Sequence, residues 1–204
     1  MIEGVQTDKR TGRVSFTLKA NVAVANTLRR IMMESVPTMA IHEVEFIKND
    51  SALYDEMLAH RLGLIPLTTD LKSYEIKKEN EEYTAKNSLK LFLKAKGPCT
   101  VYAEQLESQD PKVKAAHPKT PIVKLLKGQE LEFQATAILG VGKDHTKFAP
   151  CKAWYTQEYK VSVKNDHPDF EEYKNKYPKA AFAANGKIDP KLIEKHNLYD
   201  ACKG

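Results

Sequence analysis

The chain has 204 residues, of which 42% are hydrophobic and 29% are charged, and it carries a formal net charge of +5. This length and composition suit one large or two small globular domains, and they exclude a chain that is disordered throughout. Because no apolar run approaches the roughly 18 residues of a membrane-spanning helix and the N-terminus lacks the basic and apolar regions of a secretory signal, we expect a cytoplasmic protein.

The first elements in chain order are a predicted strand and a predicted helix. Residues Arg13–Lys19 alternate between apolar and polar side chains, which is strand periodicity. Over Val22–Ser35 the apolar residues recur at helical spacing, with Asn21 suited to the N-cap and Pro37 beyond the end. The apolar stripe of this helix consists of Val24, Leu28, Ile31 and Met32, and a different side carries Asn26, Arg29, Arg30 and Met33.

A second strand and helix follow. Apolar residues occur on both faces of the strand predicted over Met39–Ile47, so we expect it to be covered on both sides. A helix is predicted from about Ala52 to Leu62, ending at Gly63, whose freedom at positive φ suits the residue after a helix. The strand faces are Ala40, His42, Val44 and Phe46 on one side and Met39, Ile41 and Ile47 on the other.

The rest of the chain is dominated by short predicted strands. Turn residues separate these strands, and residues 110–121 form a proline-containing loop. Residues 165–204 have weak periodicity and predict no regular element. The predicted strands cover residues 89–93, 99–106, 122–126, 130–138 and 154–163. In the strand at 130–138 the apolar residues alternate along the chain; they are Leu131, Phe133, Ala135 and Ala137.

No catalytic, metal or nucleotide site can be assigned from the usual motifs. A phosphate-binding loop fails because Ala137 and Asp144 stand where Gly and Ser or Thr are needed around Gly140–Lys143. Glu56 and His60 lie one helical turn apart, but the second histidine of a zinc protease is missing. We predict no metal and no cofactor, since the three cysteines lack metal-binding spacing and fit free thiols; they are Cys99, Cys151 and Cys202.

Three segments resemble, in order, the α-like family of RNA polymerase subunits. This family includes bacterial α, the archaeal D subunit and the third-largest subunit of eukaryotic RNA polymerase II, and the surroundings of Gly97-Pro98 and Asp110-Pro111 resemble its archaeal branch. The segments are Asn21–Ile41, which contains Ala25-Asn26-Thr27-Leu28-Arg29-Arg30, then Asp50–Leu67, which contains Leu58-Ala59-His60-Arg61-Leu62-Gly63-Leu64-Ile65-Pro66, and finally Lys124–Leu131 with Gly142–Pro150.

The resemblance implies an α+β fold: an α-like dimerization domain with an inserted, strand-rich second domain. We assign residues 1–66 to the N-terminal part of the dimerization domain, 67–164 to the inserted domain and 165–204 to an extension punctuated by Lys and Pro. The family's returning C-terminal segment is expected to be absent from this sequence. Some archaeal relatives carry an iron–sulfur domain, and residues 181–188 are either a remnant of such a domain or unrelated to it, but the cysteine arrangement of a cluster is absent here.

The same resemblance implies a non-catalytic assembly subunit. It would form a heterodimer with the small α-like L subunit, and the pair would dock the N and P subunits and the large catalytic subunits. The assembled polymerase would carry out catalysis, and this chain would contact DNA only indirectly, as part of that complex. The implied dimer interface is Val24, Leu28, Ile31 and Met32, and the implied large-subunit contacts are Asn26, Arg29, Arg30, His60, Arg61, Lys143, His145 and Lys147.

Two other classes of function stay open from the residues alone. A nucleic-acid-binding module would use the excess of 24 Lys and Arg over 18 Asp and Glu in residues 71–204, but most of these charges are interspersed, as in residues 77–82. A small enzyme would need a pocket with converging polar groups, and the sequence names none.

Overall fold

A computed structural model describes residues 1–78, 80–158, 161–168, 170–196 and 198, without the side chains of residues 172–174 and 194. The chain divides into two compact units, Met1–Tyr155 and Thr156–Gly204. In the first unit the elements are β1 (Ile2–Asp8), β2 (Arg13–Leu18), α1 (Val22–Glu34), β3 (Thr38–Asn49), α2 (Asp55–Gly63), β4 (Ser88–Lys96), β5 (Cys99–Tyr102), β6 (Glu107–Ser108), β7 (Pro121–Leu125) and β8 (Glu130–Gly140).

The N-terminal hairpin and α1 follow one another directly. Strands β1 and β2 pair antiparallel, and the Asp8 carboxylate fixes their turn by accepting hydrogen bonds from Arg10 N at 2.9 Å and Thr11 Oγ1 at 2.7 Å. The prediction of β2 is confirmed, whereas β1 was not predicted. Helix α1 is also confirmed, because the Asn21 side chain accepts a hydrogen bond from Val24 N at 2.9 Å, as an N-cap does.

A four-stranded antiparallel sheet with the order β3-β8-β4-β6 forms the centre of the first unit. Strand β8 shows the predicted alternation, since one face is almost completely buried and the other is half-buried. The buried face of β8 consists of Leu131, Phe133, Ala135 and Ala137, and it packs in a single core with Leu58 and Leu62 of α2 and Leu91 and Leu93 of β4.

Two β-bulges change the faces of β3. The register against β8 shifts between Ile41 and Glu43 and again between Phe46 and Lys48, and each extra residue reverses the alternation. The prediction that Ala40, His42, Val44 and Phe46 share a face was therefore wrong. The core side of β3 is Met39, Ile41, Val44 and Phe46.

The covering of β3 and the end of α2 also differ from prediction. Strand β3 is buried only over Met39–Ile41, and beyond this both exposed and half-buried residues follow, so coverage of both sides along its length was wrong. Gly63 belongs to α2 and has no positive φ. A Cβ there would lie 3.5 Å from Ile41 O, which is an ordinary van der Waals distance.

The predicted strand over residues 99–106 is divided in the structure. Strand β5 ends at Tyr102 and pairs with β7, a 3-10 turn follows at Ala103–Gln105, and the short β6 then joins the central sheet. The predicted strand over 154–163 is wrong for its described residues, 154–158 and 161–163, which have no strand structure. A strand forms only beside a neighbouring strand that supplies the hydrogen bonds.

The central sheet bears on the predicted boundary between the domains at residues 1–66 and 67–164. The central sheet takes β3 from the N-terminal side of residue 67 and β4, β6 and β8 from its C-terminal side. The sheet therefore extends across the boundary predicted there.

The second unit contains helices α3 (Phe170–Tyr173) and α4 (Pro190–Lys195) around a small core of Ala181, Ile188 and Ile193. Asn165 fixes one side of this core, since its side chain donates to Ile188 O at 3.0 Å and accepts from Ile188 N at 2.9 Å. The stretch predicted as a remnant, residues 181–188, is a tight reversal closed by the hydrogen bond from Ala183 N to Lys187 O at 2.9 Å.

Among the described residues, no helix is long and apolar enough to cross a membrane.

Replacing Leu91 by Ala should lower the free energy of unfolding by about 2–5 kcal/mol, because Leu91 is fully buried and the substitution leaves a cavity. The adjacent exposed residue offers a matched control, and Lys90→Ala should change the value by less than about 0.5 kcal/mol. Urea denaturation of the full chain, followed by circular dichroism, measures both. Equal effects would contradict the assignment of the two faces of β4.

Candidate assembly surface

Helix α1 contains no buried residue, although it carries an apolar stripe. Val24 and Ile31 are 50% and 48% exposed, and Leu28 and Met32 are half-buried. A helix on the surface of a globular protein normally turns such a stripe towards its own core. The predicted interface residues therefore form one continuous face that the described part of the chain leaves largely uncovered.

The C-terminal end of α1 is held by the loop that follows β8. Lys143 N donates to Glu34 O at 3.0 Å, and the Cys151 thiol lies 3.7 Å from Met32 O. Gly142 packs so closely on α1 that a Cβ there would overlap the carbonyl oxygen of Met33. At Gly140 a Cβ would lie 2.7 Å from the ring of Phe148. Close packing thus accounts for the two glycines that resemble a phosphate loop.

The two arginines of α1 differ in their surroundings. The Arg29 guanidinium is half-buried and donates to Asn26 Oδ1 from Nε at 3.1 Å and from Nη2 at 3.0 Å. Arg30 is exposed and forms an ion pair with Glu34 at 3.0 Å, one helical turn away. The hydrogen bond from Arg30 lowers the pKa of the Glu34 carboxyl, with smaller contributions from Arg29 and Lys143.

The structure therefore gathers Arg29, Arg30 and Lys143 around a single carboxylate, and this group has an excess of positive charge. The sequence prediction missed Glu34. Its position four residues after Arg30 is the signal that could have identified it, because residues i and i+4 lie side by side on a helix.

Lys147 and His145 belong to a second group, next to β3. The Lys147 ammonium donates to Ile41 O at 3.1 Å and lies 3.2 Å from Nδ1 of His42, and burial lowers its pKa. His145 Nδ1 accepts a hydrogen bond from Lys147 N at 3.1 Å and caps a short 3-10 turn. The amine of Lys147 is thus engaged within the chain, while His145 is exposed.

His60 and Arg61 lie in the last turn of α2 and are both exposed. Arg61 Nη2 donates to Pro121 O at 3.0 Å, which ties α2 to the start of β7. Among the described residues, no hydrogen bond or ion pair joins these two side chains to the group around Glu34. The predicted contact residues consequently occupy separate places on the first unit.

The site carries no arrangement typical of metal binding. In the part of the chain that the structure describes, no three His, Cys, Asp or Glu side chains are placed together to hold a metal ion. Cys99 and Cys151 are free thiols, and Cys202 lies outside the described residues.

Comparison with known proteins places these surfaces in a family context. Residues 41–152 match the RNA polymerase Rpb3/RpoA insert domain, a region that contains α2 and the loop after β8 but not α1. The chain is 46% identical over 176 residues to subunit Rpo3 of the DNA-directed RNA polymerase of Thermococcus kodakarensis, covering 85% of this chain and 66% of that protein.

Other relatives carry the same description. The identity to Rpo3 of Pyrococcus furiosus is 45%, covering 82% of this chain and 63% of the relative. The identity to Rpo3 of Methanocaldococcus jannaschii is 44%, covering 74% of this chain and 74% of the relative. The chain thus spans 66% and 63% of the length of the first two relatives and more of the third.

The contact between His42 and Lys147 predicts a pH dependence of stability. Partial burial of His42, and then the nearby Lys147 ammonium, lower the pKa of His42 in the folded chain. The unfolded chain then binds more protons below pH of about 6.5, so stability should fall as the pH drops from 7 to about 5.

Replacing His42 by Gln should flatten this part of the profile, which urea denaturation at a series of pH values would measure. A variant that loses stability on acidification as steeply as the parent chain would show that other groups cause the effect.

Proposed function

Since this chain belongs to the Rpo3 family of archaeal DNA-directed RNA polymerase, the family of the D subunits, we propose that it is a non-catalytic assembly subunit of that enzyme. It pairs with the small α-like L subunit through the stripe of α1, and the pair docks the N and P subunits and the large catalytic subunits. The single observation that carries the proposal is that α1 has no fully buried residue in the part of the chain that the structure describes.

The energetics of α1 favour a partner. An isolated helix of this length is only marginally stable in water, and the 13 residues of α1 are fixed mainly by Asn21 at one end and the loop at Gly142 at the other. Removing a Val, Leu or Ile side chain from water contributes roughly 1.5–3 kcal/mol. Covering Val24, Leu28 and Ile31 by a second chain would therefore stabilise both the helix and the complex.

Further large apolar side chains are exposed in the N-terminal hairpin and at Trp154. Val5 and Val14 of the hairpin are 62% and 56% exposed, and Trp154 is 57% exposed with the Arg13 guanidinium 5.0 Å from its ring centre. We assign this region to the same interface, since a stable interface is larger than one helical stripe.

The cationic group around Glu34 suits contacts to the large subunits. Arg30 keeps its guanidinium exposed, and a planar guanidinium can bind carboxylates or backbone carbonyls with two parallel hydrogen bonds. We assign Asn26, Arg29, Arg30 and Lys143 to this contact, and we retain His60, Arg61, His145 and Lys147 as further contact residues. For Lys147 the contact would involve its chain rather than its engaged amine.

The arrangement of lysines gives little support to the alternative of a nucleic-acid-binding module. Several of them are neutralised by acids, which reduces the electrostatic attraction for a phosphate backbone. The pairs, with their N–O distances, are Lys48 with Glu130 at 2.8 Å, Lys94 with Glu132 at 2.8 Å, Lys96 with Glu130 at 2.9 Å and Lys112 with Asp70 at 2.9 Å.

Replacing Leu28 by Asp should prevent formation of a 1:1 complex with the L subunit, because an unpaired carboxylate in an apolar interface is costly. Size-exclusion chromatography of the co-expressed chains measures this. Thr27→Asp is the control, because Thr27 is exposed beside the stripe and its hydroxyl donates to Ala23 O of its own helix. A wild-type chain that stays alone beside the L subunit would refute the proposed function.

Replacing Arg30 by Glu should leave the heterodimer intact and block recruitment of the large subunits, because it reverses the charge at the exposed guanidinium. Reconstitution from purified subunits, with Lys19→Glu as a charge-matched control on the hairpin side, tests this. If the Arg30 variant recruited the large subunits normally, Arg30 would not be a contact residue.

A further inference from the structure

Four basic side chains from three parts of the chain come together beside β3. The Lys147 ammonium, from the loop after β8, lies 3.2 Å from Nδ1 of His42 on β3. His145 of the same loop accepts a hydrogen bond from Lys147 N at 3.1 Å. Lys77, from the segment between α2 and β4, is close enough for its charge to lower the pKa of His42. We name these four residues, His42, Lys77, His145 and Lys147, the basic cluster.

Hydrogen bonds fix which ring nitrogen of each histidine in the basic cluster carries the proton. An ammonium group can only donate, so Nδ1 of His42 accepts from Lys147, and the proton of the neutral ring lies on Nε2. Nδ1 of His145 accepts from Lys147 N, which leaves the proton of this ring on Nε2 as well. Both residues are exposed. Each ring therefore presents an N–H donor even when it is uncharged.

Positive charge predominates around His42. After partial burial, the Lys147 ammonium does most to lower the pKa of His42, and Lys77 acts in the same direction, whereas Glu43 opposes them with a smaller effect than Lys147. The Glu43 carboxylate already accepts a hydrogen bond from Tyr83 Oη at 2.5 Å, and the Lys77 ammonium lies 5.2 Å from the centre of the Tyr83 ring. The one nearby acid is thus engaged and does not neutralise the two lysines.

This combination of donors and charge fits a small anion with several oxygen atoms. A tetrahedral oxyanion such as sulfate or doubly charged phosphate accepts hydrogen bonds from several N–H groups at once, and bonds to charged donors are the stronger ones. A metal ion fits less well, because Nδ1 of both histidines already accepts a hydrogen bond and the two ammonium groups would repel a cation.

We propose that the basic cluster binds a tetrahedral oxyanion with two negative charges, held by Nε2–H of His42 and His145 and by the Lys77 ammonium, while Lys147 adds its charge. The anion favours the protonated ring of His42, so a proton binds together with it and the affinity rises as the pH falls. Protonated His42 no longer accepts from Lys147, whose amine keeps its hydrogen bond to Ile41 O. This site lies within the chain itself, so it goes beyond the proposed function and does not depend on it.

The test is a titration of the full chain with sodium sulfate at pH of about 5.5 and about 7.5. Sulfate is the probe because its own charge is constant over this range, so that any pH dependence comes from the protein. Sodium chloride keeps the ionic strength equal throughout, because salt screens exposed charges. The NMR signals of the histidine rings measure the affinity, and circular dichroism at both pH values establishes that each chain is folded.

Three variants separate the site from a general attraction of anions. His42→Gln keeps a polar side chain that cannot take up a proton, and Lys77→Gln removes one ammonium group. Lys124→Gln removes the same charge elsewhere and is the matched control, because Lys124 is exposed on β7, which belongs to a different sheet from β3.

The parent chain should bind sulfate about threefold or more tightly at the lower pH, because His42 takes up a proton on binding. His42→Gln should remove this pH dependence, and Lys77→Gln should weaken binding by about threefold, the effect of losing one exposed charge contact. Lys124→Gln should bind as the parent does. Equal affinity of the parent at both pH values, or equal effects of Lys77→Gln and Lys124→Gln, would overturn the assignment of the site.

A second comparison identifies the source of the oxyanion. Inorganic phosphate and adenosine monophosphate should both displace sulfate at pH of about 7.5, where both carry close to two negative charges. Tighter binding of the inorganic ion assigns the site to the free ion, and tighter binding of the nucleotide assigns it to phosphate esters. Failure of both to displace sulfate would count against an oxyanion site.

Discussion

Strand β8 lies in the middle of the sheet and is hydrogen-bonded on both edges, to β3 on one side and β4 on the other. Its pairing with β3 runs from Thr38 opposite Gly140 to Asn49 opposite Leu131, which joins parts of the chain far apart in sequence. Glu130 fixes one end of this arrangement by pairing with Lys48 and Lys96, and these ammonium groups lower its pKa to about 2. At the other end, β8 leads directly into the loop that holds α1. The position of the assembly surface therefore depends on this non-local pairing.

How much could be predicted from the sequence depended on how local each feature was. The N-cap of α1 and the alternation of β8 are set by neighbouring residues, and both were predicted correctly. The bulges of β3 arise only when the strand is matched against β8, so the face of His42 could not be obtained from periodicity. Residues 154–163 illustrate the reverse case, because they were predicted as a strand for which the described structure supplies no neighbour.

The assembly surface also combines features that are set by neighbouring residues with features that depend on the tertiary structure. The stripe of α1 and its polar side followed from helical spacing alone. Glu34 and His42 were not singled out, because their importance depends on the contacts that the loop after β8 makes with them. Lys147 had been predicted as a contact, and only the folded chain shows that its amine already binds Ile41 O. Helical spacing thus located the stripe of α1, whereas tertiary structure determined that the stripe is largely uncovered and which polar groups remain available.

Gly142 has a consequence for the geometry of α1 as a whole. With the carbonyl of Met33 directly against it, even a single methyl group at this position would act as a wedge under the last turn of the helix. The helix axis would then tilt, and Val24 at its far end would move further than the residues beside the wedge. A change of one small residue in a loop could in this way misalign a distant recognition helix without altering any atom that a partner touches.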